Sequence, residues 1–203
     1  PAILYTWWLG SEAGNAIADV LFGDYNPSAK LPISFPRSVG QVPIYYSHFN
    51  TGRPAGNDDD KNYRSAYNDL SIYPRYEFGY GLSYTTFQYS NLELSKRKMR
   101  IHEKIEVSVT IRNTGAYDGE DVVQLYLRDK VGSVVRPVQE LKDFAKVKLK
   151  AGESKTLRFV IDKEKLSFYN QLLQWVAEPG DFELMIGASA RDIRLRDRFE
   201  LVQ

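Results

Sequence analysis

Ile105-Glu106-Val107-Ser108-Val109-Thr110-Ile111 and Val122-Val123-Gln124-Leu125-Tyr126-Leu127 are the two runs that decide the fold. In the first, every second residue is β-branched and apolar, which is the period of a strand with one face in a core and the other in water. The second is read as a further strand of the same alternating stretch. An Asn113-Thr114-Gly115 turn and an Asp118-Gly119 pair lie between them. Working outward, Leu92 and Leu94 mark a strand before these two. After them come strand regions at Leu141, Phe144, Val147 and Leu149, at Leu157-Phe159-Ile161, at Leu173-Trp175-Val176 and at Phe182-Leu184-Ile186. Ile193-Leu195 with Phe199-Leu201 forms a last edge segment.

Seven or so short strands, each bounded by Asn, Gly, Asp or Lys, predict a mainly β chain. Residues 86–203 are expected to form a β-sandwich of immunoglobulin or fibronectin type III kind. Tyr126, Phe144, Phe159 and Trp175 read as its inward-facing core.

The first 40 residues follow another rule. Ile3 to Trp7 reads as a buried strand, and Ser11 as the cap of a helix whose Ala13, Ile17, Val20 and Leu21 recur at three- and four-residue spacing. Gly23 is placed to close that helix in the left-handed conformation. Leu31-Pro32-Ile33-Ser34-Phe35-Pro36 reads as a short edge segment bracketed by proline. One strand and one helix make no domain, so residues 1–40 are read as an incomplete α/β segment that needs partners. Residues 41–85 form a loop-rich linker, interspersed with tyrosines, that is expected to pack against something. The chain begins at Pro1 without a methionine and runs directly into a buried-type strand. Its start is therefore expected to be an artificial or proteolytic boundary, with any targeting information upstream.

Composition narrows the function classes. Lys and Arg total 27 against 26 Asp and Glu, with no long run of one sign, so no nucleic-acid footprint is expected. The absence of cysteine removes thiolate chemistry and disulfides. The two histidines, His48 and His102, lie too far apart in sequence for a helical or hairpin zinc pair. No cofactor, no metal and no membrane-spanning segment are expected.

Several blocks carry a resemblance. Trp7-Trp8-Leu9-Gly10-Ser11-Glu12-Ala13-Gly14-Asn15-Ala16 runs on through Gly23-Asp24-Tyr25-Asn26-Pro27-Ser28-Ala29-Lys30-Leu31-Pro32. It resembles the block near the end of the α/β sandwich domain of family 3 glycoside hydrolases. Tyr76-Glu77-Phe78-Gly79-Tyr80-Gly81-Leu82-Ser83-Tyr84-Thr85-Thr86-Phe87 resembles that family's junction into its last domain. Asn113-Thr114-Gly115 with Asp118 to Tyr126, and Arg136-Pro137 with Glu140 to Phe144 and Gly152-Glu153-Ser154, complete the match in family order. Ala29 stands where the family usually has glycine.

The resemblance implies the C-terminal portion of an exo-acting retaining β-glycosidase acting on β-glucosides or β-xylosides. Its partners would be an N-terminal barrel and the rest of the α/β sandwich domain in the same polypeptide, in a periplasmic or secreted enzyme. It also implies that both catalytic carboxylates precede the matched region, so no catalytic residue is assigned here. The alternative is a free-standing carbohydrate-binding or adhesive sandwich. The strand and helix before residue 23 speak against it, since such a module would not need them.

The remaining candidates each have a plainer reading. Arg53, Tyr63, Arg64, Tyr67 and Asp69 are of the types that line carbohydrate sites, and they are the candidate substrate-binding residues for an outer subsite. Glu12 suits a first helical turn through the helix dipole. Trp7 and Trp8 could stack on sugar, but read first as packing. Asp58-Asp59-Asp60 lacks the remaining ligands of a calcium loop and reads as a solvated tip. His48 reads as a surface histidine, and Phe78, Tyr80, Tyr84 and Phe87 as a core anchor.

Overall fold

The computed structural model describes residues 2–60 and 62–203, and Pro1, at the head of the expected first strand, lies outside them. The elements run α1 (Ala13–Phe22), β1 (Phe87–Leu94), β2 (Lys98–Arg100), β3 (Ile105–Asn113), β4 (Gly119–Asp129), β5 (Glu140–Leu149) and β6 (Ser154–Ile161). They continue with α2 (Lys163–Leu166), β7 (Phe168–Tyr169), β8 (Trp175–Val176), β9 (Gly180–Gly187) and β10 (Ile193–Val202).

β1-β3-β6 form a three-stranded sheet and β2-β10-β9-β4-β5 a five-stranded one. All pairings in these two sheets are antiparallel except the short parallel one between β10 and β2. The core lies between the sheets. Ile105, Val107, Val109 and Ile111 of β3 face Val123, Leu125 and Leu127 of β4, joined by Leu184 and Ile186 of β9. These are alternate residues, so the two-residue period that predicted the sandwich is also what fills it. Phe182 and Phe199 stack across β9 and β10 with ring centroids 5.3 Å apart.

Parity explains which expected core residues hold. Phe159 is buried with Ile161. Phe144 has the opposite parity to Val147 and Leu149, pairs with Gln124 on the outward face of the sheet, and is exposed. Tyr126 is fully buried, but on that same outward face, where it clusters with Met185, Ala190, Tyr46, Phe78 and Leu141. A bulge at Leu125/Tyr126 brings Leu141 to the same side. Trp175 is not core either. Its strand is a two-residue hairpin arm, half of the ring is open to solvent, and its Nε1 donates to Glu164 at 2.9 Å. The buried aromatic of that hairpin is Phe168, covered by the Arg136 guanidinium 4.2 Å from its centroid.

The N-terminal part departs from expectation in two places. Ile3 to Trp7 form no strand, because the described residues offer no neighbour to pair with them; Ile3 and Leu4 are exposed. The helix is capped by Glu12 rather than Ser11, with no side-chain cap, and Glu12 instead accepts a hydrogen bond from Asn15 at 2.7 Å. Gly23 does close α1 with φ of 90°, its N–H reaching the Asp19 carbonyl at 3.1 Å. Residues 31–35 then run against residues 75–80. Leu31 donates to Tyr80 and Gly79 to Leu31, both at 2.8 Å, and Phe35 donates to Tyr76 at 2.7 Å.

Candidate functional site

Three features outside the sandwich core hold polar chemistry: a clamp at residues 26–30, the loop at 52–72, and a cavity on the outward face of the five-stranded sheet.

In the clamp, Asn26 uses its whole amide. Oδ1 accepts from Ser83 Oγ at 2.9 Å and Tyr84 N at 2.8 Å, and Nδ2 donates to the Asp118 carbonyl at 2.9 Å. Lys30 reaches Asp121 at 3.0 Å in a nearly dry setting, and Asp121 also accepts from the Tyr89 hydroxyl at 2.6 Å. Burial, then the Asp121 charge, pushes the Tyr89 phenol far above its ordinary value, so this hydroxyl stays a donor. Glu120 is held below the ordinary carboxylate value by its hydrogen bond to Lys146 at 2.7 Å. The segment after the helix is thus fastened to β4 by hydrogen bonds and an ion pair, which fix position in a way that apolar contact alone does not.

The loop is built on itself. Ser65 N donates to the Arg53 carbonyl at 2.8 Å, Asp58 Oδ1 accepts from Ile72 N at 2.9 Å, and Asn57 Oδ1 caps the amides of Asp59 and Asp60. Asp60 pairs with Arg64 at 3.3 Å. Asp58 and Asp60 therefore brace the loop, while Asp59 is exposed. Among the described residues no three acidic or histidine side chains assemble as a metal site would need.

Arg53, Tyr63, Arg64, Tyr67 and Asp69 all lie on the surface of this loop. Tyr63 is almost fully exposed on a backbone of positive φ, 56°. The loop brings the five into one region, but none of them lines the cavity.

The cavity lies where the linker crosses the sheet. Tyr46 stacks on Phe78 with centroids 4.2 Å apart and meets Tyr126 edge-on, while its hydroxyl accepts from Leu141 N at 3.2 Å. His48 O accepts from Val138 N at 2.9 Å, and His48 Nδ1 lies 3.0 Å from the Phe49 carbonyl. On the other side the Arg191 guanidinium sits over the Tyr73 ring, 3.4 Å from its centroid. Between them is a cavity of about 270 Å³ lined by Tyr45, His48, Tyr73, Arg128, Glu183 and Arg196 among others. Sequence reasoning singled out only His48 of these. The signal for the others was the parity of Arg128, Glu183 and Arg196, whose strands point them away from the core.

Fold and surface together define a fibronectin type III-like sandwich fastened to a helix-and-loop segment whose apolar side is open. A model described as the glycosyl hydrolase family 3 C-terminal domain matches residues 1–84, and one described as a fibronectin type III-like domain matches residues 121–190. The chain belongs to glycoside hydrolase family 3, of which it carries the C-terminal part.

Over 99% of its length it is 54% identical to a periplasmic beta-glucosidase of Salmonella typhimurium, covering 26% of that protein. It is also 43% identical to a beta-xylosidase of Formosa agariphila, with 94% of this chain and 25% of that one aligned. The crystal structure of a beta-glucosidase from Listeria innocua in complex with glucose superposes with a TM-score of 0.92 at 43% identity, over 97% of this chain and 27% of that one. The chain thus spans about a quarter of the length of these relatives.

Proposed function

We propose that this chain serves as the C-terminal part of an exo-acting, retaining β-glycosidase, with β-glucosides as its first substrate class and β-xylosides its second. The observation that carries this reading is the open apolar surface of residues 3–22, where Trp8 is 97% and Phe22 83% exposed. Isolated proteins rarely leave so many large apolar groups together in water. A preceding α/β domain would cover them, whereas a free-standing sugar-binding module would have no use for them.

Retaining hydrolysis needs a nucleophilic carboxylate and an acid/base carboxylate about 5 to 5.5 Å apart across the scissile bond. In this reading both come from the preceding domains. The chain contributes position: the Lys30–Asp121 pair and the Asn26 amide hold the sandwich to the end of the α/β domain. Arg53, Tyr63, Arg64, Tyr67 and Asp69 border an outer subsite, where rings and charges contact sugar beyond the scissile bond. The compartment is periplasmic or extracellular, in keeping with the Salmonella relative. Among the described residues no helix is long and apolar enough to cross a membrane.

The test compares two polypeptides. Joined to its preceding domains, the chain cleaves an aryl β-glucoside; alone, it does not. In the active form Tyr67→Ala raises KM several-fold for an oligosaccharide and leaves an aryl glucoside unaffected. Turnover by the 203-residue chain, abolished by one Asp or Glu substitution within it, would overturn the reading.

A further inference from the structure

The cavity on the outward face of the five-stranded sheet has no part in that reading. Three guanidiniums border it. Arg191 and Arg196 enter no ion pair among the described residues, Arg191 being held only by the face of Tyr73. Arg128 meets Glu183 at a loose 3.8 Å, and Lys130 competes for the same carboxylate at 3.8 Å. Glu77, the other lining carboxylate, is engaged by the Ser189 hydroxyl at 2.8 Å. Cationic charge so sparsely paired around a concavity draws an anion to it, and the guanidinium fork matches a carboxylate in two-point contact.

The geometry points to a non-catalytic binding site for a carboxylate-bearing sugar, one uronic acid unit, with its carboxylate against Arg196 and Arg128 and its hydroxyls toward Glu183 and Tyr45. Size, charge and lining each fit this class. At about 270 Å³ the cavity lies just below the ~300 to 1,000 Å³ usual for small-molecule sites, which suits a single ring. A neighbouring depression of about 450 Å³ shares Glu183 and Arg196, so an attached second unit has a way out. A phosphate would bring a charge of about −1.5 to −2 against Glu77 and Glu183. A monoanion with hydroxyls meets less repulsion and uses the same two carboxylates as acceptors. Tyr45, about two-thirds exposed at the rim, offers a ring face to the sugar. Binding here involves no bond cleavage, so its failure and the failure of the glycosidase reading are separate results.

The experiment is calorimetric titration of the full chain with D-glucuronate, D-glucose, acetate and inorganic phosphate, at low and high salt. Glucuronate is expected to saturate one site, with glucose and acetate at least about tenfold weaker and the affinity falling as salt rises. Arg196→Gln is expected to weaken glucuronate about tenfold without moving the unfolding temperature, because Arg196 is exposed and enters no ion pair among the described residues. Equal binding of glucose, tighter binding of phosphate, or no saturation by any probe would each overturn the assignment. So would an Arg196→Gln chain that binds glucuronate as well as the parent.

Discussion

Gly79 and Gln124 are fitted to one another: Gln124 Nε2 donates to the Gly79 carbonyl at 3.2 Å, and a Cβ on residue 79 would stand 2.2 Å from Gln124 Oε1. Gln124 cannot move aside, since the same amide donates to Ala188 O at 2.8 Å and its oxygen accepts from the Tyr126 hydroxyl. Residue 79 also has φ of 80°, where an L side chain is strained. Gly79→Ala is expected to lose about 2 to 5 kcal/mol, the sum of left-handed strain and overpacking. Denaturant unfolding measures it, and a loss under about 1 kcal/mol would show that Gln124 can move aside at this junction.

The same junction bears on whether residues 86–203 fold alone. Their inner core is complete without the linker, so the isolated segment is expected to unfold cooperatively. Removing residues 41–78 uncovers Tyr126, Met185 and Ala190, which Tyr46 and Phe78 otherwise cover. The isolated sandwich should therefore melt below the full chain and bind a hydrophobic dye more strongly. Equal melting temperatures would mean that the linker adds nothing to the sandwich.

Trp175 and Phe182 make a paired test of burial. Trp175→Ala gives up a half-exposed ring, its contact with Tyr169 at 4.9 Å and one hydrogen bond to Glu164, a loss of about 1 kcal/mol. Phe182→Ala removes a buried ring stacked on Phe199 and is expected to cost about 3 to 5 kcal/mol. Equal losses would place Trp175 in a core after all.

Asp129 supplies a pH test. Burial raises its carboxyl above the ordinary value, against the opposing pull of the Val131 amide and of Arg136. Its Oδ2 and Arg136 Nε lie 3.6 Å apart, and neither has a hydrogen-bond partner among the described residues. A raised folded-state value means that the native chain binds the proton more tightly than the unfolded one, so the stability from this group falls as pH rises. Asp129→Asn keeps the acceptor for Val131 and cannot ionise. Relative to it, the parent should lose stability as pH rises from about 4 through the raised value, then level off. A difference that stays constant with pH would show that Asp129 titrates normally.

The sandwich is legible in the sequence because two-residue alternation survives in β3 and β6, where each strand has one unambiguous inner face. Phe144 departs from the expectation because its parity is opposite to that of Val147 and Leu149, and Trp175 because a short apolar run in a hairpin resembles a core strand. Tyr126 was read as buried for the wrong face, since nothing local shows that a segment 80 positions earlier lies across it. The strand expected at Ile3 to Trp7 has an apolar pattern whose partners are not among the described residues. The loop candidates were recognisable by residue type. The cavity was not, because it forms only when Tyr45 and Tyr73 are brought over Arg128, Glu183 and Arg196.

Lys30 and Asp121 provide the last prediction. They stand 3.0 Å apart with side chains only 15% and 6% exposed, the one from the segment after the helix and the other from β4. Removing one partner of such a pair leaves an uncompensated buried charge, which typically costs about 3 to 5 kcal/mol. Lys30→Met is expected near the lower end, about 3 kcal/mol, because Tyr89 still donates to Asp121 and some water reaches the lysine. The double variant Lys30→Met with Asp121→Asn removes the stranded charge and keeps an oxygen for the Tyr89 hydroxyl. It should recover at least about half of the loss, a coupling that a double-mutant cycle reads directly. Strict additivity would mean that the two charges do not sense each other, and the clamp would then rest on Asn26, the Ser28 hydroxyl on Glu120 and apolar contact.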